Sequence, residues 1–156
     1  MIRDMRDTDL PSVLLINQAN VPAVGHETVK SLHSLFVLCS IALVIEIDGH
    51  VQGFCMLLPP STAYKSPNYL YFQKRYDHFI YLDRIAIADG YRNQGWGPLL
   101  YTEAIKRSNA QWLTLEVNVV PPNEGSLRFH LREGFTELSQ EETRPGKIVS
   151  LMSKRL

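Results

Sequence analysis

The run Arg92-Asn93-Gln94-Gly95-Trp96-Gly97 lies between an apolar, strand-like stretch from Phe79 to Ala88 and four residues, Leu100, Tyr101, Ala104 and Ile105, that recur at helical spacing. A turn that opens a helix presents amide N–H groups with no intrahelical partner, aligned with the helix dipole. Such a turn is an anion site, and a pyrophosphate fits it. Two glycines one residue apart remove the Cβ atoms that would hold a phosphate off the backbone, and Arg92 adds a charge-assisted contact. Pro98 is tolerated early in a helix but brings no N–H, so the cradle has one donor fewer. The spelling excludes a Walker A loop, which needs Lys and then Ser or Thr where Pro98 and Leu99 stand. It also excludes a dinucleotide fingerprint, which needs a third glycine that is not there.

Two carboxylates are candidates for proton chemistry. Asp83 interrupts the apolar strand, two and four residues before Ile85 and Ile87. It shares their face if the alternation is unbroken, and a β-bulge would reverse that. The alternative is that Asp83 simply pairs with Arg84, Arg75 or Arg92. Glu116 stands in another apolar stretch, Trp112 to Val119. Burying it costs several kcal/mol unless it has a partner or faces a cavity, so it is either a site residue or half of a buried pair. The histidines His26, His33, His50 and His78 show no metal-ligand spacing, and no bound metal is expected.

The remaining chain supplies elements to position these groups. Ile2 to Met5 reads as a short strand, and Asp7, Thr8 and Asp9 offer caps for a helix with Pro11 in its first turn. Asn20 to Gly25 is a loop, and Val29, Leu32, Leu35, Phe36 and Cys39 share one face of a helix from about Glu27 to Cys39. Ile41 to Ile47 and Val51 to Leu58 form a hairpin about Asp48-Gly49. Between Ser61 and His78, Tyr64, Tyr69, Tyr71, Phe72 and Tyr76 either pack over a sheet edge or form a wall of an acceptor pocket. After the Trp112 strand come a helix from Glu124 to Arg132, a stop at Gly134, and strands from Thr136 to Glu141 and from Ile148 to Met152. The pattern predicts an α/β fold with a mixed, largely antiparallel sheet flanked by helices.

At 156 residues the chain is expected to form one domain, residues 1–156, with a core that needs no metal or disulfide. Sixteen basic and sixteen acidic residues cancel, which argues against nucleic acid or an anionic membrane as the main partner. No apolar run is long enough to span a bilayer and the first residues are charged, so a cytoplasmic protein is expected. Cys39 and Cys55 lie in apolar surroundings without C-x-x-C spacing and read as buried, reduced thiols.

The Arg92–Gly97 turn resembles the (Arg/Gln)-x-x-Gly-x-(Gly/Ala) turn of the GNAT superfamily of acetyl-CoA-dependent N-acetyltransferases. The stretch NEGSLRFHLREGF is similar to that superfamily's C-terminal motif at Asn123, Ser126, Phe129, Gly134 and Phe135. The intervening strand with Glu116 and Asn118, and the preceding strand, two helices and hairpin, come in the same order. The resemblance covers nearly the whole chain and implies a sheet whose central strands splay, with the pantetheine arm in the resulting V. It assigns the backbone of Ile85, Ala86 and Ile87 to that arm, an amide near Ile85 to the thioester carbonyl, and Arg92, Asn93, Gln94, Gly95, Trp96 and Gly97 to the pyrophosphate. Asn123 would hydrogen-bond the arm, with Ser126 and Phe129 against it. His130 departs from the family pattern, standing where a tyrosine usually protonates the departing thiolate. An imidazole, with a pKa of about 6.5 against about 8.5 for a thiol, can return that proton near neutral pH. The bland alternative is that His130 only lines the tunnel.

The implied activity is acetyl transfer from acetyl-CoA to a primary amine of a small molecule or peptide by direct attack in a ternary complex. His130 is the acid, and Asp83 or Glu116 the base. Asn20, Tyr71, Phe72, Tyr76 and Asn118 are expected around the acceptor. The rival reading, supported by the missing tyrosine and by Pro98, is a module that binds coenzyme A or an acyl-CoA without transferring the acyl group. The resemblance also makes a homodimer through edge strands one of the assemblies open to the fold.

Overall fold

A computed structural model describes all residues, 1–156. The elements in chain order are β1 (Ile2–Asp4), α1 (Leu10–Ala19), α2 (Val29–Leu38), β2 (Ile41–Ile47), β3 (His50–Leu58), α3 (Pro67–Arg75), β4 (Phe79–Ile87), α4 (Trp96–Arg107), β5 (Trp112–Val120), α5 (Glu124–Arg132), β6 (Thr136–Arg144) and β7 (Lys147–Arg155). The strands form one sheet in the order β1-β2-β3-β4-β5-β7-β6. Every neighbouring pair is antiparallel except β4 and β5, which run parallel. This is the mixed, largely antiparallel α/β architecture that the sequence pattern predicts.

Local chemistry explains most boundaries. Asp48 and Gly49 both take positive φ, 51° and 76°, the conformation a two-residue hairpin needs between right-twisted strands. The Thr28 hydroxyl accepts from Ser31 N at 3.0 Å and starts α2 two residues later than expected. Glu27 is drawn instead to Arg84, 2.6 Å away. Val29, expected on the buried face, is 72% exposed in that first turn. The strands β6 and β7 run longer than their apolar residues suggest, because each keeps its ladder beyond the stretch that packs on the core.

Two apolar layers sandwich the sheet. Leu10, Val13 and Ile16 of α1, Leu32 and Leu35 of α2, and Tyr69 and Phe72 of α3 pack with Val44, Phe54, Met56 and Tyr81 on one face. Leu100 and Ala104 of α4 pack with Leu43, Ile45, Cys55 and Leu113 on the other.

Two irregularities shape the centre of the sheet. Parallel pairing of β4 with β5 covers only Phe79–Tyr81 against Trp112–Thr114. Beyond those residues the strands part, as the family resemblance implies, and leave the facing backbone edges unpaired. The second irregularity is on the other side of β4, where Met56 pairs with Arg84 but Leu57 pairs with Leu82, so Asp83 is an extra residue. That β-bulge resets the alternation. Arg84 and Ala86 take the face of α1–α3, and Ile85 and Ile87 take the face of α4. Asp83 bonds Tyr64 and Arg84, so it faces the α1–α3 side and not the side of Ile85 and Ile87. The bulge thus overturns the face expected from unbroken alternation.

At Gly53, opposite Ile87, a Cβ would lie 2.7 Å from Ile45 Cδ1, 2.9 Å from Ile87 Cδ1 and 3.2 Å from the Ala86 carbonyl oxygen. Gly53→Val should therefore lower stability by about 1–3 kcal/mol through overpacking. The measurement is the urea midpoint at unchanged m-value, and an unshifted midpoint would mean that this face of β3 is not close-packed.

Candidate active site

The parted strands make an opening through the sheet, and each layer of helices covers one end of it. On the α4 and α5 side a groove of about 590 Å³ runs from Ile85, Ala86 and Ile87 past the Asn93–Gly97 turn to Ser126, Phe129 and His130. On the α1–α3 side a cavity of about 190 Å³ contains Asp83 and Glu116 and continues to Tyr101 and His130. Tyr101, His130, Ser126 and Ile85 line both spaces.

The turn is built for close approach to its backbone. Asn93 and Gly95 have φ of 59° and 84°, and Gly95 is the left-handed residue from which α4 starts. A Cβ at Gly95 or Gly97 would meet nothing within 4 Å, so the absent side chains leave open space in front of the first turn of α4. Arg92 is tied in place: it donates to Asn20 Oδ1 at 2.7 Å and to Ile87 O at 3.4 Å, and pairs with Asp89 at 2.9 Å. Gln94 donates back to Gly90 O at 3.1 Å, which turns its amide away from the groove. Asn20, expected near the acceptor, lines the groove and orients Arg92 instead.

On the opposite side the acid groups are set by a buried cation. Arg84, 6% exposed, donates to Asp83 Oδ2 at 2.8 Å, Glu27 Oε1 at 2.6 Å, Asn17 Oδ1 at 2.9 Å and Gly25 O at 3.1 Å. It fastens the 20–27 loop over the cavity. The other Asp83 oxygen accepts from the Tyr64 hydroxyl at 2.6 Å. Glu116 has a neutral partner, the Tyr81 hydroxyl at 2.6 Å, and no ion pair. Burial, aided by the charge of Asp83, raises its pKa to about 7, against smaller opposing contributions from Tyr81, Asn68 and Lys147. Glu116 is thus poised to gain and lose a proton near neutrality.

His130 sits in the other layer, within a cage of Phe129, Phe135 and Tyr101 rings. Its Nδ1 lies 2.7 Å from Ser126 O, and its Nε2 lies 2.6 Å from the Tyr101 hydroxyl. Burial lowers its pKa, opposed by the Ser126 carbonyl and Glu133, so the neutral ring is favoured. Asn123 caps α5, its Oδ1 accepting from Ser126 N at 3.4 Å. It lines the cavity with Asn118, which donates to Pro22 O at 3.4 Å.

The aromatic segment divides between core and site. Phe72 is fully buried in the core, Tyr76 stacks on Trp112 and hydrogen-bonds Ser153, and Tyr71 packs edge-on against Phe72. These three residues, expected around the acceptor, do not line the cavity of Asp83 and Glu116: the helical period of α3 turns Tyr71 and Phe72 elsewhere, and Tyr76 follows the helix in extended backbone. Tyr64 from the same segment reaches the cavity instead, together with Asn68. Tyr64 was weighed with the aromatic segment, whereas Asn68 and Tyr101, which line the cavity, and Tyr81, which bonds Glu116, were not singled out from the sequence as site residues. For Tyr81 and Tyr101 the available signal was a hydroxyl on an apolar stripe, which needs a partner once buried. Both cysteines are free, and burial pushes the Cys55 thiol up to about 12, which keeps it protonated and unreactive. No three His, Cys, Asp or Glu side chains are grouped to hold a metal ion, and no helix is long and apolar enough to cross a membrane.

The chain thus has a splayed mixed sheet with a glycine turn at the mouth of its opening and a cavity holding two carboxylates behind it. The model of the acetyltransferase (GNAT) family matches residues 16–135, and the chain belongs to that family. It is an acyltransferase by that membership. Its fold is similar to that of Ard1 from Thermoplasma volcanium, with a TM-score of 0.79 at 18% identity over 100% of this chain and 97% of that one. It is also similar to the ribosomal-protein-alanine N-acetyltransferase of Brucella melitensis, with a TM-score of 0.76 at 23% identity over 100% and 99%. The ribosomal-protein-S18-alanine N-acetyltransferase of Escherichia coli gives 0.76 at 20% identity over 99% and 92%. No curated protein matches the sequence.

The raised Glu116 pKa makes a stability prediction. The folded-state value of about 7 exceeds the ordinary 4.5, so folding favours the protonated acid. That contribution is complete below the ordinary value and is lost as the pH rises through about 7. Glu116→Gln should therefore match the wild type at acid pH and exceed it at alkaline pH by up to about 3 kcal/mol. Urea unfolding at several pH values checks this, and parallel curves would show that Glu116 ionises freely.

Proposed function

We propose that the chain is an N-acetyltransferase that moves an acetyl group from acetyl-CoA to a primary amine, with residues 1–156 acting as one catalytic domain. One observation carries the reading: the opening between β4 and β5 joins a groove fit for the donor to a cavity whose acids can accept a proton from the acceptor. The donor's pyrophosphate would meet the Trp96 and Gly97 amides, which the missing side chains leave accessible. Its pantetheine arm would pair with the free backbone edge of Ile85–Ile87, the amide near Ile85 polarising the thioester carbonyl. Ser126 and Phe129 would lie against the arm, and Asn123 beside it.

An amine reaches neutral solution as an ammonium ion and must lose a proton before it attacks. Glu116 is the base that fits the task, with a pKa near the working pH to which the charge of Asp83 contributes. Asp83 itself is held by Tyr64 and Arg84 and acts by its charge. His130 lies across the opening from the acids and is the source of the proton that reaches the departing thiolate. Asn118, Tyr64 and Asn68 complete the acceptor cavity, and Lys147 and Arg144 at its rim suit an acceptor with an anionic group beside its amine. Two of the similar structures act on ribosomal-protein alanine by their names, which supports a peptide α-amine as one acceptor class beside small amines. The reduced thiols are in keeping with a cytoplasmic setting.

The deciding measurement is thermal unfolding with and without acetyl-CoA, followed by thiol release over a panel of amino acids, their decarboxylated amines and short peptides. Stabilisation by acetyl-CoA with release for some amine is the expected result. Stabilisation without release returns the coenzyme-A-binding module, and no stabilisation means the turn is not a phosphate cradle. Gly95→Val, which forces a side chain onto a φ of 84°, should weaken coenzyme A binding by at least about tenfold, measured by calorimetry on folded protein. Unchanged affinity would move the pyrophosphate elsewhere.

A further inference from the structure

Two hydroxyls border both the donor groove and the acceptor cavity beside the buried histidine: that of Ser126, 3.3 Å from Nδ1, and that of Tyr101 of α4, which alone lies against Nε2. Its bond to His130 can be read in only one direction. A carbonyl oxygen only accepts, so the 2.7 Å contact between Nδ1 and Ser126 O puts the imidazole proton on Nδ1. Nε2 then carries the lone pair, and the Tyr101 O–H donates to it across 2.6 Å. Burial, with the facing Cys55 and Glu133, raises the Tyr101 pKa, and burial lowers that of His130, so both groups rest neutral.

The arrangement has a second state with the same heavy-atom contacts. When Nε2 gains a proton it becomes the donor, Tyr101 Oη becomes the acceptor, and Nδ1 still donates to Ser126 O. The tyrosine proton is then free to point into the site. We infer that Tyr101 and His130 form a two-state proton carrier, in which the Tyr101 hydroxyl touches the reacting atoms and His130 stores the proton behind it.

The carrier rests on the transferase reading above and balances its chemistry. As the amine nitrogen bonds to the acyl carbon, its excess proton passes to Tyr101 Oη while the tyrosine's own proton passes to His130 Nε2. As the C–S bond breaks, its electron pair goes to sulfur; Tyr101 gives sulfur a proton, and His130 returns one to Tyr101. One proton has moved from nitrogen to sulfur, an amide and a thiol are formed, and both side chains end as they began. Nitrogen and sulfur are attached to the same carbon during the exchange, so one hydroxyl can serve both. Glu116 has the separate task of removing the ammonium proton beforehand.

The test has a structural and a kinetic arm. Nitrogen-15 NMR of the wild-type protein without ligand should show His130 in the Nδ1–H tautomer, with a slowly exchanging hydroxyl proton from Tyr101 near it. Finding the proton on Nε2 would overturn the carrier, whatever the variants do. Kinetically, Tyr101→Phe should cut kcat by about 10- to 100-fold with the KM for acetyl-CoA changed less than about threefold. It should also remove the His130 limb of the kcat–pH profile; Glu133 faces both members of the pair, and Cys55 faces Tyr101. His130→Gln in the Tyr101→Phe background should add no further loss. Wild-type turnover and pH profile in Tyr101→Phe would overturn the proposal. If the wild type acetylates no amine, the transferase reading fails, and the NMR arm still decides the state of the pair.

Discussion

Parallel pairing between β4 and β5 ends after Tyr81 and Thr114, and the site depends on where it ends. A backbone amide or carbonyl at the centre of a sheet ordinarily loses free energy when it has no partner. The parted edges here are unpaired because the opening gives them water, or a ligand, in place of a neighbouring strand. The bulge at Asp83 contributes to the parting, since an extra residue bends a strand and increases its local twist. The same bulge moves Asp83 to the face of α1–α3 while leaving Ile85 and Ile87 toward α4. One inserted residue thus separates the side of the carboxylates from the side of the glycine turn.

Arg84 holds that acid side together. A buried guanidinium is costly unless its donors are used, and here it serves two carboxylates, the Asn17 side chain and the Gly25 carbonyl. The network joins β4 to α1 and to the loop that covers the cavity, so the loop's position is fixed by hydrogen bonds rather than by apolar packing. Its charge count matters as much as its geometry. Arg84 pairs with Asp83 and Glu27, which leaves no cation for Glu116. Glu116 is therefore left with a hydroxyl partner, and the remaining cations of the cavity, Arg144 and Lys147, make no ion pair with it.

The fold was legible in the sequence because its signals are local: the Asp48-Gly49 turn, the apolar period of α4, the Gly134 stop and the alternation of β2 and β3. The glycine turn at the start of α4 is local too, since Arg92, Gly95 and Gly97 stand within six residues of one another. The acceptor side was not, because its members come from β4, β5, α3 and the 20–27 loop, and only the fold brings them together. Tyr64 and Asn68 carry no spacing that distinguishes them from Tyr71 and Phe72; the helical period of α3 sorts Asn68 from Tyr71 and Phe72, and Tyr64 comes from the segment before that helix. Asp83 shows the limit most clearly: alternation gave one face, a bulge gave the other, and no residue in the strand announces the bulge.

The two titrating groups on either side of the opening are displaced in opposite directions, and for related reasons. Burial penalises charge in both, raising an acid and lowering a base. For Glu116 the neighbouring Asp83 adds to the penalty, whereas for His130 the Ser126 carbonyl and Glu133 oppose it. The outcome is a neutral cage around His130, and a carboxyl group that ionises near pH 7, in adjoining spaces of one site. Were both groups exposed, their ordinary pKa values would be separated by about two units, with the acid ionised and the imidazole half-protonated near neutrality. Burial instead raises the Glu116 value to about 7 and lowers that of His130, so both groups favour their neutral forms more than they would in water. The sheet's opening is what allows both groups to be buried and still reach the same atoms.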